Sequence, residues 1–428
     1  MDNKSSQSII KSFSIFGLFG TEDVHINFDE NIKIIIGENG LGKTQVLNIF
    51  YYLLTSNFNK LIEFPFEKVK LQFCNNEIDI AKNYIIYNFK KLSSENDRKL
   101  SKEEQWNKIF AKFLFDLNDI HGRINRRDRH ESLCPPGLTK YADIIRKNIS
   151  ENTILYFPTF RRVEEDLNNL GYNDEVLIGR EDNQLIQFGM DDVQKRFNSV
   201  ENRIDLLLKE GFTKISSKIL SKLVKGFGDT NKKVLDRISE NDINIILAKV
   251  GDQISEEEKL KIREIVANKE ASNTDNSLFY FIQALVDIYE KQKEFDTAIN
   301  QFKKVCNSYL IGKKVFYDES NIKIYIKPDY SDEPLPLNQL SSGEKQIISI
   351  FSKIYLSDSD KRFIVLFDEP ELSLSMLWQK QLLPDIVNSN KCDFLLAVTH
   401  SPFIFDNKLD KYAVGLSEYI TPTKEVRA

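Results

Sequence analysis

The stretch Gly37-Glu38-Asn39-Gly40-Leu41-Gly42-Lys43-Thr44 has the residue types and spacing of a phosphate cradle. Glycines at 37, 40 and 42 let the backbone bend and bring its N–H groups close to phosphate oxygens. Lys43 is placed to reach the β- and γ-phosphates of a bound nucleotide, and the Thr44 hydroxyl to hold Mg2+. Asn39 is counted with the same nucleotide-binding set. Far along the chain, Asp368 and Glu369 stand side by side. An acid there orients magnesium through its water shell, and a second carboxylate polarises the attacking water as general base. His400 completes the group: a histidine at the end of an apolar run is either an ordinary structural residue or a sensor of the γ-phosphate. Its place after Asp368-Glu369 favours the sensor.

Each of these residues needs an element behind it. The run Ile32 to Ile36 predicts a buried strand leading into the cradle. Val46, Leu47, Phe50 and Leu53 recur at helical spacing just after it. Phe363 to Phe367 is a continuous apolar run of strand length, expected for a parallel strand covered on both faces. It delivers Asp368 and Glu369 at its carboxyl end, where open α/β sheets bind ligands. "CDFLLAVTHSPFIF" predicts another such strand, ending at Thr399-His400.

The 428 residues, 41% of them apolar, suffice for an elaborated globular domain or two to three smaller ones. A net charge of −5 speaks against a broadly basic nucleic-acid binder, although a local basic groove stays possible. Four scattered cysteines and four histidines give no zinc spacing, and reduced thiols fit a cytoplasmic protein. The N-terminus does not read as a signal peptide, and no run reaches the ~18 apolar residues of a membrane helix.

"NQLSSGEKQI", residues 338–347, raises a different question. Ser341-Ser342-Gly343 opens a helical pattern carried by Ile347, Ile348 and Phe351. A helix N-terminus attracts anions, yet the chain already has its phosphate cradle. The order of strand, P-loop and helix, then Leu340-Ser341-Ser342-Gly343-Glu344, then strand with Asp368-Glu369, then strand with His400, resembles the ATP-binding-cassette ATPases. That resemblance implies an α/β P-loop head using ATP and Mg2+, with a flanking antiparallel sheet. It also implies that Ser341 and the backbone at Gly343 grip the γ-phosphate held by a neighbouring protomer. Two heads then close around two ATP molecules through a two-fold, self-complementary interface. Gln187 is the candidate for the Q-loop glutamine; the alternative is a surface amide.

"LSSGEKQ", "DEPELSLSMLWQKQLLPDI" and "VTHSPFI" look like the branch holding SMC, RecF and OLD-type ATPases. They are most similar to the small AAA-like ATPases of bacterial antiphage operons. "ILYFPTFRRVEEDLNNLG", residues 154–171, resembles stretches in PARIS, Septu and AbiL-like pairs. One departure stands out: Leu372-Ser373-Leu374-Ser375 replaces the family's usual Ser-Ala-Leu-Asp, which puts communication through a D-loop aspartate in doubt.

Between the ATPase halves, "EFPFEKVKLQF" and "YIIYNF" read as strands of the flanking sheet. Arg123, Arg126, Arg127 and Arg129 crowd residues 121–130 as a solvated loop or as a contact for nucleic acid or an acidic partner. Val193, Phe197, Val200, Ile204 and Leu207, matched by Phe295, Ile299, Phe302, Cys306 and Tyr309, predict a packed helix pair. That pair makes a short coiled-coil lobe, too short for a chromosome-spanning rod and suited to a partner platform. Residues 312–330 alternate like a hairpin.

The expected organisation is residues 1–189 and 311–428 as two parts of one ATPase head, with 190–310 as the helical insertion. The stretch from His400 to residue 428 leaves no room for the carboxy-terminal nuclease of OLD-type proteins. The leading expectation is therefore an ATP-hydrolysing, oligomeric sensor or scaffold controlling a separate effector, a nuclease or toxin. A RecF-like DNA-repair ATPase acting on DNA directly is the second reading. A transporter subunit is the third, weakened by the signature and the long insertion.

Overall fold

The computed structural model describes residues 8–38, 40–96, 134–150, 152–158, 190–225, 243–244, 247, 255–268, 276–319, 321–357 and 361–423. In chain order its strands are β1 (Ile10–Leu18), β2 (Glu22–Asn27), β3 (Ile32–Ile36), β4 (Lys68–Phe73), β5 (Glu77–Ala81) and β6 (Asn152–Phe157). They continue as β7 (Lys313–Asp318), β8 (Lys323–Pro328), β9 (Arg362–Asp368), β10 (Cys392–Thr399), β11 (Ala413–Gly415) and β12 (Ile420–Pro422). The longer helices are α1 (Lys43–Leu54), α2 (Lys82–Asn96), α3 (Thr139–Asn148), α4 (Met190–Lys225), α5 (Glu256–Asn268), α6 (Asn276–Tyr309), α7 (Ser342–Tyr355) and α8 (Met376–Val387). They fall into two compact units: residues 1–187 with 361–428, and residues 188–360.

The first unit is built on two sheets. One is parallel, in the order β11-β3-β10-β9-β6. Its central strands are near-continuous runs of Ile, Leu, Val and Phe because both faces are covered. The order has a functional consequence. β10 lies between the cradle strand β3 and the acid strand β9, so the residue after Thr399 emerges between Lys43 and Glu369 at one edge of the sheet.

The other sheet is antiparallel, β12-β2-β1-β4-β5. The flanking sheet expected from residues 63–73 is there, but "YIIYNF" is a correction: residues 84–89 lie inside α2. Ile85 and Asn88 are buried and Phe89 half-buried while Tyr84 and Tyr87 face solvent, a helical period that a six-residue apolar window cannot separate from a strand. The fifth strand is instead Glu77–Ala81, whose polar-apolar alternation buries Ile78 and Ile80.

One apolar cluster joins the antiparallel sheet, α1 and a face of the parallel sheet. Its centre is aromatic: Phe50 lies 4.8 Å from Phe13, 6.0 Å from Phe28 and 6.2 Å from Phe394, centroid to centroid. Each such ring contributes about 1.5–3 kcal/mol by leaving water. This cluster fixes the helix that follows the cradle against the strands that carry the acids and the histidine.

In the second unit, α4 and α6 pack along each other, with Phe197 and Phe302 meeting edge to face at 5.7 Å. Val193, Phe197, Val200, Ile204, Ile299, Phe302, Cys306 and Tyr309 are buried as their spacing predicts. Leu207 and Phe295 are half-buried. The hairpin β7–β8 is stitched to these helices by buried polar groups. Glu201 accepts the Ile324 N–H at 2.8 Å and the Lys323 ammonium at 2.7 Å, and Tyr317 donates to Asp296 at 2.8 Å. Residues 311–357, which open the C-terminal part of the head in the sequence-based division, pack with this helical unit.

Candidate nucleotide site

The cradle leaves β3 at Ile36 and enters α1 at Lys43. Gly42 is the N-cap of α1, at φ 76°, the left-handed region that glycine tolerates. A Cβ there would also sit 2.9 Å from the ring of Phe19, so this position needs glycine for two reasons. No side chain caps α1, and its first turn carries no acid. Its N-terminal N–H groups therefore meet no side-chain cap and its dipole no first-turn carboxylate, as an anion site requires.

Lys43 is buried, and its ammonium is well satisfied. It donates to Gly37 O at 2.7 Å, to Glu38 O at 2.9 Å and to His400 Nε2 at 2.7 Å. Burial pulls its pKa below the ordinary lysine value, against the opposing pull of Glu369, Asp368 and Glu371. Thr44 Oγ1 donates to Asp368 Oδ1 at 3.2 Å. A hydroxyl and a buried carboxylate brought together offer the hard oxygens that Mg2+ prefers. With an uncapped helix start, a buried cation and this oxygen pair, the residues fit Mg2+–ATP.

Glu369 follows β9 at φ 51°, an unusual conformation for a residue with a side chain. Its N–H still donates to Val398 O at 2.8 Å, so the chain turns only after the strand ladder is complete. Its carboxylate lies 3.5 Å from His400 Nε2. Burial raises its pKa, reinforced by the neighbouring Asp368 and Glu371 carboxylates and opposed by His400 and Lys43. A carboxyl tuned upward suits a general base.

The structure thus brings Gly37, Gly40, Gly42, Lys43, Thr44, Asp368, Glu369 and His400 to one edge of the parallel sheet. Asn39, Gln187 and the arginines at 123–129 lie outside the described residues, as does most of the 154–171 stretch beyond β6. One site-forming residue escaped sequence reasoning. Glu371 accepts from Thr399 Oγ1 and from the His400 backbone N–H, both at 2.8 Å. Its only trace in the sequence is a third acid, two residues past Glu369.

Ser341 and Gly343 belong to the second unit. Ser341 is the N-cap of α7: its hydroxyl accepts from the Glu344 N–H, and the Glu344 carboxylate accepts the Ser341 N–H at 2.8 Å. Lys313 donates to that carboxylate at 3.1 Å. Burial opposes ionisation of Glu344, but the Ser341 N–H and Lys313 outweigh it and hold its pKa below the ordinary glutamate value. Ser375, in the departing D-loop stretch, likewise caps α8 by accepting the Trp378 N–H.

Among solved structures, an Smc head domain with an extended coiled coil bound to the C-terminal domain of ScpA, from Pyrococcus furiosus, is 13% identical. The match covers 95% of this chain and 92% of that one at a TM-score of 0.35. The fold stated above rests on the strand order, not on that overlap. Two proteins called DNA replication and repair protein RecF are similar in sequence. The one from Bacillus cytotoxicus is 27% identical over 192 residues, 41% of this chain and 48% of the relative. The one from Clostridium perfringens is 24% identical over 264 residues, 56% of this chain and 70% of the relative. The chain spans about half the length of the Bacillus relative. A family profile reaches across nearly the whole chain, from residue 9 to residue 405, taking in the cradle, the acid pair and His400 alike. This chain belongs to that family, the AAA ATPase domain family.

Proposed function

We propose that this chain binds Mg2+–ATP at the edge of its parallel sheet and hydrolyses it to ADP and phosphate. The observation that carries this is the meeting of Lys43, Thr44, Asp368, Glu369 and His400, delivered by three different strands. ATP supplies the bond that breaks and the metal neutralises phosphate charge. Thr44 and Asp368 hold the metal, Lys43 and the α1 N-terminus hold phosphate oxygens, and His400 faces the γ-phosphate. Glu369 takes a proton from the attacking water as the water oxygen bonds to phosphorus and the β–γ bridging oxygen departs. Purified protein should release phosphate from Mg2+–ATP, and Glu369→Gln should bind ATP without turnover. Equal turnover in the two proteins removes the base assignment.

Ser341 and Gly343 then serve the γ-phosphate of a second protomer, in a head-to-head pair around two nucleotides. The Ser341 hydroxyl caps α7 and also meets the Glu344 carboxylate, so it reaches a phosphate only by turning from that carboxylate, which its exposed position allows. We read the helical lobe, residues 190–310, as the platform for a separate effector, a nuclease or toxin of a bacterial antiphage system. The similarity of residues 340–346, 368–386 and 398–404 to such ATPases supports this. The relatives called RecF support a second reading, in which turnover acts on DNA itself. Titrating linear duplex DNA at several salt concentrations separates the two. Salt-dependent binding that accelerates hydrolysis favours the second reading. Hydrolysis indifferent to DNA, with a co-encoded nuclease retained on the protein, favours the first.

A further inference from the structure

We infer that Glu371 and Gln379 are positioning residues that set the place of His400, an assignment that rests on the ATPase reading above. β10 ends at Thr399, and the next two residues turn away from the sheet. The backbone of that turn is held by the segment that follows β9. Glu371 Oε2 accepts the Thr399 hydroxyl at 2.8 Å, while Oε1 accepts the His400 N–H at 2.8 Å and the Ser401 N–H at 3.1 Å. Gln379, in the first turns of α8, adds a second brace. Its Oε1 accepts the Ser401 hydroxyl at 2.6 Å and its Nε2 donates to Leu374 O at 2.9 Å. The same Nε2 reaches Glu371 O at 3.4 Å.

The two glutamates therefore divide the histidine between them. Glu369 faces the imidazole of His400 at 3.5 Å, and Glu371 holds its backbone. Only Pro370, with its fixed φ, separates them. The spacing between the base and the histidine is thus set within one short segment, not across the width of two strands. Three donors on one carboxylate make bonds of the stronger, charge-assisted kind. With Thr399 fully buried, the turn has little room to drift. The Lys43–His400 contact at 2.7 Å depends on the same placement.

The experiment uses the full chain. Steady-state ATP hydrolysis is measured beside the imidazole NMR signal of His400, one of only four histidines, recorded without nucleotide. Glu371→Ala is expected to lower kcat about 10- to 100-fold, the cost of a misplaced catalytic group, with KM for ATP within about threefold. Its His400 signal is expected to shift or broaden. Glu371→Gln keeps an oxygen for the two N–H donors and should restore both readouts to within about threefold of wild type. Thr399→Val and Gln379→Leu each remove part of the brace and should give intermediate shifts; they carry the test if Glu371→Ala does not fold. An unmoved His400 signal in all of these variants overturns the assignment. So does a kcat loss that follows thermal stability alone. A wild-type protein without ATP hydrolysis defeats the ATPase reading, while the nucleotide-free signal still decides the brace.

Discussion

Two helices in this chain begin just after a glycine- or serine-rich turn, and they begin in opposite ways. α1 starts at Gly42 with no side-chain cap and no acid in its first turn. α7 starts at Ser341 with a complete capping box, its first-turn Glu344 folded back and paired with Lys313. The first is open to an anion. The second is internally satisfied and carries a negative charge beside its own N-terminus. A serine-glycine turn ahead of a helix is therefore not by itself a phosphate site, because capping explains Ser-x-x-Glu without any ligand. If α7 contacts phosphate, it does so by turning the Ser341 O–H away from the Glu344 carboxylate, not with a vacant helix end.

The largest expected effect tests the open site. Glu369→Gln should reduce kcat by about 10²- to 10⁴-fold, the usual worth of a general base, with ATP affinity preserved. Next comes Lys43→Ala. Hydrogen bonds to charged groups contribute about 1.5–3 kcal/mol each, so ATP should bind roughly 10- to 100-fold more weakly. Calorimetric titration of Mg2+–ATP reads this directly, and an unchanged Kd would mean that the α1 N-terminus alone supplies the affinity.

The Ser341 pair of variants sharpens the contrast. Ser341→Ala removes the cap and should cost about 0.5–2 kcal/mol of stability. Ser341→Asp keeps a good N-cap but replaces the hydroxyl donor with a carboxylate. It should melt like wild type yet lose ATP-driven association, measured by light scattering with Glu369→Gln in the background. If Ser341→Asp associates normally, Ser341 is a cap and nothing more.

Much of this was legible in the sequence because it depends on local pattern. The glycines at 37, 40 and 42, the apolar run before Asp368 and the run before Thr399 each announce their own element. The seams of α4 and α6 follow from spacing alone, since buried faces repeat every three to four residues. What stayed hidden is long-range. Nothing in the order of the motifs says that β10 lies between β3 and β9, although that placement puts His400 against both Lys43 and Glu369. The Glu371 contacts join residues 28 to 30 apart in sequence, so the carboxylate reads as a third acid on a loop. The helix at residues 84–89 was misread because six apolar-rich residues fit either period, and the deciding signal is the continuation through Leu92.

The smallest effect probes why the second helix start is closed. The folded-state pKa of Glu344 is depressed, so its contribution to stability is present above the ordinary glutamate value of about 4.3 and is lost as pH falls through the lower folded value. Glu344→Gln keeps the capping geometry, because glutamine also serves at the third helical position, and removes only the charge facing Lys313. Solvent screening limits that loss to less than about 1 kcal/mol. Thermal melts of wild type and Glu344→Gln should therefore differ slightly at pH 7 and converge as pH falls through the lowered folded-state value of Glu344, below which both side chains are neutral. A constant difference across that range would place the stabilisation in hydrogen-bond geometry alone. The closed start of α7 would then owe nothing to the Lys313 ion pair, and the contrast with α1 would reduce to the presence or absence of a cap.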